Sequence, residues 1–149
     1  VRPSQPLSGR MQGLIMGRWK EIPHTADLAL HVWGSDLLDL FATAARAMMS
    51  FVAVPAQQGG ELRARVQLEA LDTETLLVDW LGELLFLLER ERVVFVTYDF
   101  DRVTPNALSA DLTGRPVGTY LANIKAVTYH NLAVVQTEEG YETEVVFDV

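Results

Sequence analysis

The chain has 149 residues, of which 49% are hydrophobic and 21% charged, so it has the length and apolar content of one folded domain and is not intrinsically disordered. It carries no cysteine, which excludes disulfides and thiolate zinc sites as staples and fits a reducing compartment, so a cytoplasmic location is expected. Twelve Lys and Arg against 20 Asp and Glu leave a formal net charge of −8, a balance that argues against direct nucleic-acid binding and suits metal cations or a basic protein partner.

Residues 1–17 mix Pro3, Pro6, Gly9, Gly13 and Gly17 without a sustained period and read as a flexible N-terminal extension, so the folded unit is expected over 18–149. A short strand, Arg18–Ile22, stops at Pro23, and a second, Leu28–Trp33, ends at Gly34. Ser35 then stands at an N-cap position, and Leu37, Leu40, Phe41, Ala44, Met48 and Phe51 recur at helical spacing up to about Val52. Leu62–Ala70 alternates apolar and polar residues as a half-buried strand does. Asp72 or Thr73 caps a second helix, which Glu74 opens and Arg90 and Arg92 close in favourable orientation to its dipole. The longest apolar run in the chain, residues 76–88, lies within this helix; Asp79 and Glu83 interrupt it, and it is shorter than the ~20 residues of a membrane span. Further strands are expected at 93–98, 107–113, 125–136 and 141–149, with Asp99 and Asp101 approaching a turn, a bulge at His130-Asn131 and a hairpin through Glu138-Glu139-Gly140. This order predicts an α+β fold: a two-layer α/β sandwich in which two helices cover a mixed, mostly antiparallel sheet.

The densest polar knot is His24-Thr25-Ala26-Asp27, an imidazole, a hydroxyl and a carboxylate in four residues. A local turn held by side-chain hydrogen bonds would also account for it. At the other end of the chain, alternation turns Asp148 away from the face shared by Tyr141, Val145, Phe147 and Val149. If Asp148 and the terminal carboxylate of Val149 met Asp27, three hard oxygen donors would converge and would need a cation to offset their repulsion. A solvated strand end remains the alternative for Asp148. Lys125, one of only two lysines, suits neutralising such a cluster or contacting phosphate, or simply blunting a strand edge. His31 and His130 read as hydrogen-bonded strand histidines, and Asp79 with Glu83 as a solvated helix face. A phosphate-binding Gly-rich loop, a Gly-x-Ser-x-Gly elbow and a His-Glu-x-x-His zinc motif are all absent.

These residues carry a resemblance. Trp19-Lys20-Glu21-Ile22-Pro23-His24-Thr25-Ala26-Asp27, Leu77-Val78-Asp79-Trp80-Leu81 with Glu83-Leu84-Leu85, Lys125-Ala126-Val127-Thr128-Tyr129-His130 and the closing Val146-Phe147-Asp148-Val149 resemble the archease family, in order, from Trp19 to Val149. The resemblance implies a non-enzymatic cofactor of the tRNA-splicing RNA ligase that joins 3′-phosphate or 2′,3′-cyclic-phosphate ends to 5′-hydroxyl ends, promoting guanylylation and multiple turnover of that partner. It implies a metal site at Asp27, Asp148 and Val149, a place in activation for Lys125, and membership of the first motif for His24. Oxygen donors of this kind favour Ca²⁺, Mg²⁺ or Mn²⁺. Two other classes fit the same residues: a metal-dependent hydrolase or phosphotransferase using Asp27, Asp148 and His24, and a chaperone-like binding module with an apolar patch around Trp33 and the first helix.

Overall fold

A computed structural model describes residues 6–7, 13–14, 16–22 and 27–149. His24, with Pro23, Thr25 and Ala26, lies outside the described residues, as does most of the expected extension over 1–17. In chain order the elements are β1 (Pro6–Leu7), β2 (Gly13–Leu14), β3 (Arg18–Ile22), β4 (Leu28–Gly34), α1 (Leu37–Val52), β5 (Ala53–Pro55), β6 (Leu62–Glu69), α2 (Thr73–Glu91), β7 (Val93–Val103), β8 (Ala107–Tyr120), β9 (Ala126–Val127), β10 (Val135–Thr137) and β11 (Gly140–Asp148).

The expected α+β fold with two helices is present. Its strands divide between two main sheets, and every described pairing is antiparallel. In the first sheet the order is β10-β11-β4-β3, with β9 joining β11 beyond β10; in the second, β8 is the spine, flanked by β5 and β6 on one side and β7 on the other. Helix α1 packs on β4 and β7 and against α2, which packs in turn on β6, β7 and β9. One apolar cluster thus runs from Leu30, Val32, Val145 and Phe147 of the first sheet through both helices to Val66, Phe100 and Leu112 of the second. Trp80 sits at its middle, fully buried, its ring near those of Tyr98 and Phe100 and its indole N–H donating to the Phe41 carbonyl at 3.0 Å. That bond gives the buried indole its polar partner and ties the two helices together.

Several local expectations are corrected. The α1 N-cap is Asp36, whose carboxylate accepts from the Asp39 amide; Ser35 stands one residue earlier and donates its hydroxyl to Asp39. Strand β7 continues to Val103, so Asp99 and Asp101 are strand residues: Asp99 pairs with Asp111 of the long β8 and Asp101 stands at the irregularity between Phe100 and Arg102, the pairing on either side outweighing the turn preference of aspartate. The span 125–136 is not one bulged strand. It breaks into β9, a turn at His130-Asn131 in which Asn131 takes a left-handed φ of 53°, and β10. Asparagine tolerates that conformation, and the Leu132 amide closes the turn on the Tyr129 carbonyl. The hairpin at 138–140 is present, joining β10 to β11 with Gly140 at φ 139°, a value that L side chains rarely adopt. Asp72 caps α2, and Arg92 ends it in the left-handed region.

Candidate functional site

The first sheet brings the two ends of the candidate site together. Strands β4 and β11 pair from Gly34 with Tyr141 to Leu28 with Phe147, and both residues of that last pair pack against the core. One residue further along each strand stand Asp27 and Asp148. Hydrophobic alternation on two strands far apart in sequence therefore sets a register that places both aspartates at the same sheet end. The same alternation directs them, with Ala29, His31 and Trp33 of β4 and Val146, Glu144 and Glu142 of β11, to the face opposite the helices.

Lys125 joins this end by backbone chemistry. Ile124 before it is buried, Ala126 after it pairs with Asp148, and its own amide donates to the Asp148 carbonyl at 2.7 Å. The Thr128 amide and hydroxyl both donate to the Val146 carbonyl, so 124–128 runs along the end of β11. Lys125, Asp148 and Val149 are exposed and Asp27 is half-buried. Of the residues singled out in the sequence, Asp27, Lys125, Asp148 and Val149 thus gather at one sheet end. Among the described residues, no group of three or more His, Asp or Glu side chains could hold a metal ion. Any cation here would draw on the two aspartates and on Val149, an all-oxygen set suited to hard divalent ions.

Further along the same face, His31 Nε2 lies 2.8 Å from Glu142, the hydrogen-bonded role expected of it. Its ring stacks at 4.3 Å on Trp33, and the Arg18 guanidinium covers Trp33, also at 4.3 Å. With Trp33 covered in this way and α1 largely buried, the described residues show no broad apolar patch around them, only the exposed Met16 beside Trp33. The exposed large apolar side chains among the described residues include Phe86, Tyr120, Leu121 and Tyr129 instead. His130 stands in a turn rather than a strand. Asp79 is exposed and Glu83 half-buried on the outer side of α2, as a helix face turned to solvent should be.

Asp39 was not singled out in the sequence. It is 3% exposed and accepts from the Met16, Gly17 and Ser35 amides and the Ser35 and Thr43 hydroxyls. The carboxylate thereby anchors the start of β3 and the end of β4 to the first turn of α1. Its signal was faint: an acidic residue in an N-terminal turn on the apolar side of the helix.

The outer face of the second sheet is charged but internally matched. Arg65 bonds Asp101 and Asp111 across the strands at 3.0 Å each, and Ser109 donates to Asp101 at 2.9 Å. Hydrogen bonds from Arg65 first, and then Ser109, hold the Asp101 carboxyl below its ordinary range, while hydrogen bonds to Asp101 first, and then Asp111, push the Arg65 guanidinium up. A groove of about 840 Å³ lies beside Arg65 and Asp111, but this pairing leaves it little net charge with which to attract an ion.

Comparison with known proteins gives consistent results. The model of the Archease protein family (MTH1598/TM1083) matches residues 19–149. The archease of Methanosarcina barkeri is 30% identical over 140 residues, covering 89% of this chain and 96% of the relative, and that of Archaeoglobus fulgidus is 32% identical over 136 residues, covering 89% and 99%. Among solved structures, Methanobacterium thermoautotrophicum protein 1598 aligns with a TM-score of 0.67 at 25% identity, covering 88% of this chain and 98% of its own. A Thermotoga maritima archease described as a possible chaperone shares the fold, with a TM-score of 0.65 at 22% identity and coverage of 87% and 96%.

Proposed function

The chain belongs to the archease family, and from that membership we propose that it is a non-enzymatic protein cofactor of the tRNA-splicing RNA ligase, promoting guanylylation and repeated turnover of that enzyme. The observation that carries this reading is the meeting of Asp27, Asp148 and Lys125 at one end of the first sheet. Two motifs at opposite ends of the chain have no packing reason to carry polar residues there, since Leu28 and Phe147 already complete the apolar ladder behind them.

In this reading Asp27, Asp148 and Val149 hold a divalent cation, Ca²⁺, Mg²⁺ or Mn²⁺, whose charge would face phosphate groups at the partner's active site. Asp148 is held on one flank, where it pairs with Ala126 and its carbonyl accepts from the Lys125 amide, so its carboxylate is presented from a strand end tied to the 125–126 segment. Lys125 is exposed, with its backbone amide on the Asp148 carbonyl, and in this reading its ammonium meets a phosphate oxygen of the partner's substrate. The acidic body suits a basic, RNA-binding enzyme as partner. His24 belongs to the sequence motif that ends at Asp27.

The test is multiple-turnover sealing of a 3′-phosphate RNA to a 5′-hydroxyl RNA by the purified ligase, with and without this protein. Sealing beyond one equivalent of ligase only when the protein is present is the expected result. Equal turnover without it overturns the proposal, and hydrolysis of a small phosphate ester by the protein alone would replace it with a hydrolase.

A further inference from the structure

Strand β6 closes the second sheet on one side. Among the described residues it pairs only with β8, so one edge of its backbone is left unpaired over Leu62–Glu69. Exposed edges are ordinarily blunted by a proline, a bulge, lysines or charges turned inward. None of these is present here: the register against β8 runs without a shift along the whole strand, and Arg63, Arg65 and Glu69 all lie on the outer face, away from Ala64, Val66 and Leu68 on the core side. Arg65 is committed to Asp101 and Asp111. Arg63 is more weakly held, with an exposed contact to Glu61 at 3.2 Å, and the exposed Gln67 and Glu69 side chains bond nothing among the described residues. Exposed leucines mark both ends of the edge. Leu62 is 39% exposed and Leu71, just past the strand, is 96% exposed, its carbonyl held by the Asn106 side-chain amide at 2.9 Å.

We propose that this edge pairs antiparallel with β6 of a second copy of the chain, about a two-fold axis at Val66. The edge is complementary to itself in that register. Arg63 of each copy stands opposite Glu69 of the other, Arg65 opposite Gln67, Ala64 opposite Leu68, and Val66 opposite Val66. Polar residues thus meet polar ones on the outer face and apolar ones meet on the core face, with an opposite-charge pair on each side of the axis. The same two-fold carries Leu71 of each copy to the end of the strand where Leu62 of the other is exposed. Other registers lose this match. A one-residue slip turns the faces against each other. A two-residue slip sets Arg65 on Arg65 and Glu61 on Glu69 in one direction, and in the other leaves Arg63 against Leu71. The edge shares no residue with the Asp27–Asp148 sheet end, and the inference stands independently of the ligase reading.

The test is sedimentation equilibrium of the whole chain at concentrations up to ~1 mM, for the unaltered protein, Arg63→Glu, Glu69→Arg and the double variant, with thermal unfolding to establish that each is folded. We expect the unaltered protein to approach twice its chain mass of 16.6 kDa. Each single variant sets like charges opposite one another on both sides of the axis, and should dimerise at least tenfold more weakly while melting close to the unaltered protein, since both residues are exposed. An equimolar mixture of the two single variants restores opposite charges in a heterodimer, and the double variant restores them in a homodimer. Both should recover the unaltered affinity to within about threefold. A monomer at every concentration overturns the inference. Dimerisation of Arg63→Glu within twofold of the unaltered protein overturns it as well, because the copies then meet elsewhere. Weakening in both single variants with no recovery in their mixture overturns the pairing of Arg63 with Glu69 and with it the two-fold at Val66.

Discussion

Replacing Asp39 by Ala tests whether a buried carboxylate holds the edge of the first sheet. Its two oxygens take five donors: the Met16, Gly17 and Ser35 amides and the Ser35 and Thr43 hydroxyls, between 2.8 and 3.4 Å. Gly17 and Thr43 are buried, whereas Met16 and Ser35 are exposed. The Thr43 hydroxyl can turn to the carbonyl one helical turn back, so the uncompensated buried donor is the Gly17 amide, at a cost of about 1–3 kcal/mol. The three donors at Met16 and Ser35 exchange a bond to a carboxylate for one to water, at about 0.5–1 kcal/mol each. The sum is roughly 3–5 kcal/mol, and at ~2–4 °C per kcal/mol for a chain of this size the melting temperature falls by about 6–20 °C. Urea unfolding followed by far-UV circular dichroism gives the free energy directly. A loss below about 1 kcal/mol would refute the view that this carboxylate is the clasp.

Trp80→Phe removes the indole N–H from the Phe41 carbonyl and part of a fully buried ring, and should cost about 2–4 kcal/mol by urea unfolding. Gly82→Ala should stabilise the protein by about 0.5–1 kcal/mol in the same assay, because the added methyl meets open space and alanine favours the helix. The Asp101 carboxyl, depressed mainly by Arg65, contributes stability that is present above its unfolded value near ~3.9 and is lost as pH falls through its lower folded value. Arg65→Ala should therefore flatten the dependence of unfolding free energy on pH below about 4, and an unchanged acid limb would show that the pair does not act as described. Asp148→Asn should leave the melting temperature within ~2 °C, since the residue is exposed, while weakening divalent-ion binding measured by calorimetry at least tenfold.

What the sequence made legible followed from periodicity. Leu37 to Phe51 and Leu77 to Leu88 recur at helical spacing, and both helices stand where that spacing puts them. Alternation at 62–70 and 141–149 likewise located β6 and β11. Where several strands compete for partners, the local signal failed. The extension of β7 through Asp99 and Asp101 depends on pairing with β8, and the break at Asn131 on a turn that alternation alone reads as a bulge. For the candidate site, the sequence supplied the residues but not the register that joins them. That register follows from matching Leu28 with Phe147, a contact between strands near opposite ends of the chain.

The most direct test of the account is single-turnover guanylylation of the RNA ligase with this protein present, titrated with Ca²⁺, Mg²⁺ or Mn²⁺ and repeated with Asp148→Ala. Acceleration that saturates with metal and is lost in the folded variant is the expected result. Full acceleration by Asp148→Ala, at any metal concentration, would contradict it and remove the Asp27–Asp148 sheet end from the function.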